Sequence, residues 1–171
     1  MRLSLFLLSL LVYSCGASVA VDYEKQTNFG NYTTYNYYPK IESGLNALDD
    51  KRIIKATDSI LESQGIKKSD SPQFYVNFYA SEHYSNSRNT IGVGVGSGGF
   101  GISGGIPIGG PNLKQQVTID FIDVGKDDLF WQAIVESNYK PKATPHQREQ
   151  HYKTVVDKAL KKYPPKNKID N

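Results

Sequence analysis

Apolar positions along this chain recur first at every second residue and then at the 3.6-residue helical period, and the changes of period mark out its elements. Val19 to Tyr23 reads as a short first strand. Tyr32 to Tyr38, rich in tyrosine and threonine and closed by Pro39, reads as a second. The period then lengthens: Ile53, Thr57, Ile60, Leu61 and Gln64 form one stripe of a helix. Asn46 is its predicted N-cap, and Asp49 and Asp50 in its first turn face the positive end of the helix dipole. Gly65 is expected just past the end, where Ile66 can fold back onto Leu61 in a Schellman cap.

Strict alternation returns at Phe74 to Ser81, with Phe74, Val76, Phe78 and Ala80 on one side and Tyr75, Asn77 and Tyr79 on the other. Leu113 to Asp123 alternates again, turns through Gly125-Lys126-Asp127-Asp128 and returns as Leu129 to Val135, a predicted hairpin. On its second arm Leu129, Trp131, Ala133 and Val135 are expected to share a face opposite Phe130, Gln132 and Ile134, the pattern of a central strand. The last helix opens with Thr144 as N-cap, Pro145 at N1 and Gln147 completing a capping box. Tyr152, Val155, Val156, Ala159, Leu160 and Tyr163 form its stripe, and Pro164-Pro165 ends it. The predicted fold class is α+β: an antiparallel sheet of about five or six strands, two helices packed on one face, and a glycine-rich hairpin or loop.

That glycine-rich insertion breaks both periods. Ile91, Val93 and Val95 alternate with glycine, Ser97-Gly98-Gly99 can turn the chain, and Phe100 and Ile102 follow. Glycine weakens a strand, so such a ribbon is expected to order only against something else. Ile91, Val93, Val95, Phe100 and Ile102 are therefore candidate partner-docking residues. A loop without a role is the competing reading.

The first twenty residues change the picture of where the protein acts. Arg2, the apolar run Leu3 to Val12 and the sequence Val12-Tyr13-Ser14-Cys15 have the order of a lipoprotein signal peptide. The run is too short for a membrane-spanning helix, which needs about 20 residues. Residues 1–14 are expected to be cleaved, 15–20 to form a lipidated tether, 21–163 a single α+β domain and 164–171 a disordered tail. Cys15 is the lipidation site and the membrane the partner it implies. Gly16 is not the aspartate that retains some lipoproteins at the inner membrane, so the expected location is the outer membrane, facing the periplasm.

Composition adds exclusions. Cys15 is the sole cysteine, so the core must hold without a disulfide. A formal net charge of +3 with interspersed signs gives no nucleic-acid footprint.

The ordered motifs resemble the bacterial lipoproteins of domain of unknown function 4136. The resemblance is carried by Val21-Asp22-Tyr23, Phe29 to Tyr37 with its Tyr-Thr-Thr-Tyr core, Arg52-Ile53, Phe74-Tyr75-Val76, Ile119-Asp120-Phe121-Ile122-Asp123, Leu129-Phe130-Trp131 and Tyr163-Pro164-Pro165. It departs from the family at Gln132-Ala133, where arginine and glycine are usual. The resemblance implies an α+β periplasmic lipoprotein and supplies no catalytic residue.

Individual side chains point away from cofactor chemistry. Gly94, Gly96 and Gly99 match a dinucleotide fingerprint in letters, but no helix start follows them. His146 and His151 stand five apart on one helix and His83 is remote, so no zinc pair forms. Asp120 and Asp123 differ by an odd number along a strand and point oppositely; with Asp127 and Asp128 they are expected to solvate a turn. No cofactor, metal or catalytic residue is assigned, and a non-catalytic binding module is the expected function, with an envelope protein or glycan as partner. Tyr32, Tyr38, Tyr75 and Tyr79 are candidate rings for stacking on glycan, although tyrosine is also simply a strong strand former. An unrecognised periplasmic enzyme is the remaining alternative.

Overall fold

The computed structural model describes residues 17–85, 90–91, 106–107 and 112–165. Its main sheet is built from β1 (Ser18–Tyr23), β2 (Thr34–Tyr37), β3 (Lys67–Lys68), β4 (Phe74–Ser85), β7 (Asn112–Asp123) and β8 (Asp128–Asn138), in the order β1-β8-β7-β4-β2-β3. A short 3-10 turn, Phe29–Asn31, follows β1, and the helices are α1 (Ala47–Ser63) and α2 (Pro145–Leu160). A separate ribbon pairs β5 (Thr90–Ile91) antiparallel to β6 (Ile106–Pro107), with Ile91 opposite Ile106. Val93, Val95, Phe100 and Ile102 lie outside the described residues, as do Cys15 and the signal sequence.

The sheet is open and mostly antiparallel, and the fold is α+β as the alternation implied. Its β2 edge differs: β2 runs parallel to both β4 and β3. The reason is α1, which carries the chain back along the sheet so that β4 enters from the same end as β2. β1 begins at Ser18, inside the stretch expected to be tether.

The helix ends follow from local chemistry. Asn46 accepts from the amides of Leu48 and Asp49, each at 3.1 Å. At the other end Ile66 N donates to Leu61 O and Gly65 N to Glu62 O, both at 3.0 Å, with Gly65 at φ +83°. That is the Schellman pattern, and Ile66 is buried by it. Thr144 and Gln147 complete the capping box of α2.

Both helices pack on one face. Phe74, Val76, Phe78, Val117, Ile119, Phe121, Trp131, Ala133 and Val135 are buried there beneath Ile53, Leu61, Tyr152, Val155, Val156 and Leu160. α2 ends at Leu160, and Tyr163 beyond it folds back as a plug, 4.8 Å from the ring of Phe121 and 5.3 Å from that of Trp131. One expected facing pattern is overturned. A bulge between Phe121 and Ile122 sets Trp131 opposite Phe121 but Leu129 opposite Ile122. The extra residue, Phe130, is driven to the helix side and stacks on Tyr32 at 4.1 Å, while Leu129 is left 51% exposed.

Candidate functional site: the open face of the sheet

The face opposite the helices carries the residues that core packing does not use. Strand pairing sets Asp22, Gln132, Asp120 and Asn77 in one row across four strands. Gln132 Nε2 donates to Asp120 Oδ1 at 2.8 Å, and Asn77 also hydrogen-bonds the carboxylate. Thr118 and Tyr79 lie in the next row and Ile122 and Tyr75 in the row on the other side. Tyr38 meets Tyr75 edge to face at 5.8 Å. Among the described residues neither helix packs here, and Tyr38 and Tyr79 remain 38% and 43% exposed.

Asp120 is nonetheless buried among these neighbours. Burial pushes its carboxyl above the usual range, and the hydrogen bonds from Gln132 and Asn77 only partly oppose this. A neutral amide, Gln132, faces the carboxyl, and among the described residues no cation offsets its desolvation. Asp120 is thus not a turn-solvating residue, contrary to expectation. The turn is held by Asp123, whose Oδ1 accepts from Lys126 N at 2.8 Å, and Asp127 and Asp128 are exposed beside it.

Asp123 lies on the helix side, where Tyr32 OH donates to its Oδ2. Partial burial raises its carboxyl, but that hydrogen bond, those from the backbone amides of Lys126 and Gly125 and the Lys126 charge together hold it below the usual range. Burial and the same carboxylate push the Tyr32 phenol up to about 12. Tyr32 therefore belongs to the core, and three of the four candidate tyrosines share the open face. A polar hollow of about 860 Å³ opens beside this turn.

Two other polar groupings are explained by packing. Asp49 is buried at the start of α1, with Oδ1 2.6 Å from Arg52 Nη1 and Oδ2 2.8 Å from Arg148 Nη1; Arg148 also donates to Tyr139 OH at 2.8 Å and Pro141 O at 2.7 Å. This clamp joins α1 to α2, a role beyond the first-turn dipole partner read from the sequence. Tyr35 and Tyr37 both donate to Asp58 Oδ1, at 2.6 and 2.7 Å.

The histidines are dispersed. His83 Nε2 lies 3.3 Å from Glu136, His146 is exposed, and His151 Nε2 is 2.9 Å from Gln115 Oε1. Burial lowers the His151 pKa, Asp49 opposing this and Arg148 adding to it. Among the described residues no cluster of His, Cys, Asp and Glu could hold a metal, and no helix is long and apolar enough to cross a membrane. The open-face row was missed in the sequence because its signal was spread over four strands: the polar residues of β1, β4, β7 and β8 only become neighbours once the register is known.

One solved structure agrees on the fold. A PDZ domain protein from Parabacteroides distasonis superposes with a TM-score of 0.59 and 13% identity over 87% of this chain, which spans only 36% of that protein. Two PelC dodecamer structures from Paraburkholderia phytofirmans align over 84% of this chain and 94% of their own. Their TM-scores are 0.49 and 0.44, at 11% and 12% identity. No curated protein matches the sequence. The sequence profile of the domain of unknown function DUF4136 matches residues 19–165, nearly the whole folded chain, and the protein belongs to that family.

Proposed function

We propose that this protein is a cell-envelope lipoprotein, anchored by acyl chains at Cys15 and facing the periplasm from the outer membrane, whose domain is a non-catalytic binding module. The anchor rests on the order of Arg2, the apolar run to Val12 and Cys15. Two or three acyl chains make such attachment effectively permanent, whereas one is marginal. The binding role rests on one observation: the sheet buries one face under both helices and presents on the other a polar row flanked by Tyr38, Tyr75 and Tyr79.

That surface favours glycan as the ligand class. Tyrosine rings can lie against the apolar faces of a sugar while the amides and carboxyl beside them exchange hydrogen bonds with its hydroxyls. Palmitate-analogue labelling tests the anchor: incorporation is expected in the parent and none in Cys15→Ala, and equal labelling would refute it. Co-sedimentation with purified cell-wall glycan tests the surface. At about 0.5–1.5 kcal/mol per aromatic contact, Tyr75→Ala combined with Tyr79→Ala should weaken binding about tenfold. Unchanged sedimentation of the folded double variant would refute this ligand.

A further inference from the structure

The chain is tied to the domain almost as soon as it leaves Cys15. β1 starts at Ser18, Ala17 packs against the core, and Ala17 O accepts from Lys158 Nζ at 3.5 Å. One residue, Gly16, separates Ala17 from Cys15, so the two Cα atoms can be no more than about 7 Å apart. β4 and β7, at 12 residues each, are about 40 Å long. A leash this short cannot lift such a domain off a bilayer, and it selects which end approaches.

Register identifies that end. Ser18 lies in one row with Glu136, Gln116 and Ser81, and β8, β7 and β4 all run past this row, to Asn138, Asn112 and Ser85. β1 thus enters the sheet at this end, and beyond β8 the chain runs on to Tyr139, whose amide donates to Leu113 O at 2.9 Å. The β7–β8 turn at Gly125 to Asp127 is at the opposite end. At this end stand Tyr84, 68% exposed, half-buried Leu113 and Lys114, and the exposed Lys140 and Lys142. The acids there are engaged, Glu136 with His83 and Glu82 with Gln115.

Resting on the Cys15 anchor, we infer that this end of the sheet lies on the lipid leaflet. Tyr84 sits at headgroup depth and Lys114, Lys140 and Lys142 meet anionic headgroups, the partition that tyrosine and lysine show at membrane interfaces. The open face then stands upright from the membrane and looks sideways into the periplasm.

The test uses the full-length acylated protein in vesicles of phosphatidylethanolamine and phosphatidylglycerol. Acylated Cys15 has no free thiol, so Tyr84→Cys or Lys126→Cys supplies a single site for a nitroxide. The ratio of oxygen to aqueous-nickel accessibility should be severalfold higher at 84 than at 126, both exposed positions whose substitution leaves the core intact. Equal ratios in protein that incorporates the palmitate analogue would overturn the orientation alone. Failure to incorporate the analogue would overturn the anchor and the orientation with it.

Discussion

Asp120 and Asp123 stand three residues apart on β7 and experience opposite environments, because the strand's alternation delivers them to opposite faces of the sheet. Asp123, on the helix side, has a phenol, two backbone amides and a lysine arranged around its charge. Asp120, on the open side, is buried between two neutral amides. The side that holds the fold together has fully compensated its carboxylate, and the side without a covering helix keeps one that is not. The proposed binding role rests on the open face, where the polar row and the tyrosines stand clear of both helices.

The largest break of this contrast is on the helix side. Trp131 is fully buried between Phe121 and Tyr163, so Trp131→Ala should cost about 3–5 kcal/mol, a large share of a small domain's stability. Among the described residues its indole Nε1 has no hydrogen-bond partner, so Trp131→Phe should cost much less. Urea denaturation of both variants checks this, and similar losses would show that the indole N–H matters.

A smaller effect is expected at the turn. Tyr32→Phe removes one hydrogen bond to a carboxylate while leaving the ring stacked on Phe130, a loss of about 1 kcal/mol. Because the folded Asp123 carboxyl is held low, its contribution is present above the unfolded value, about 4, and is lost as pH falls through the folded one. Denaturation from pH 6 down to pH 2 should show a steeper acid loss in the parent than in Tyr32→Phe. Parallel curves would remove Tyr32 from the account.

Much of this arrangement could be read before any coordinates. Asn46, Gly65, Thr144 and Gln147 act within a few residues of themselves, so their caps follow from local chemistry, and alternation in β4 and β7 reports which side each residue takes. The bulge at Phe130 was invisible because one inserted residue looks the same as unbroken alternation when both neighbours are apolar. The parallel entry of β4 depends on the return path of α1, and the Asp49 clamp on an arginine 99 residues away. The neighbours of Asp120 are likewise non-local: Asn77 and Gln132 come from separate strands, so the carboxyl read as part of the adjacent turn.

The smallest effect tests the open face itself. Since the folded Asp120 carboxyl is raised, its protonated form is favoured: the contribution is present below the unfolded value and is lost as pH rises through the folded one. Asp120→Asn keeps the shape, removes the ionisation and should be slightly more stable than the parent at pH 7, with the advantage disappearing below about pH 4. Gln132→Arg should reach a similar result by another route. A guanidinium beside Asp120 offsets the cost of burying its charge, lowers the carboxyl and removes the pH-dependent loss without removing the acid. If both variants flatten the stability curve between pH 4 and pH 7, the uncompensated carboxyl is the cause. If Asp120→Asn destabilises at neutral pH, the carboxylate is already compensated on the open face and the contrast with Asp123 collapses.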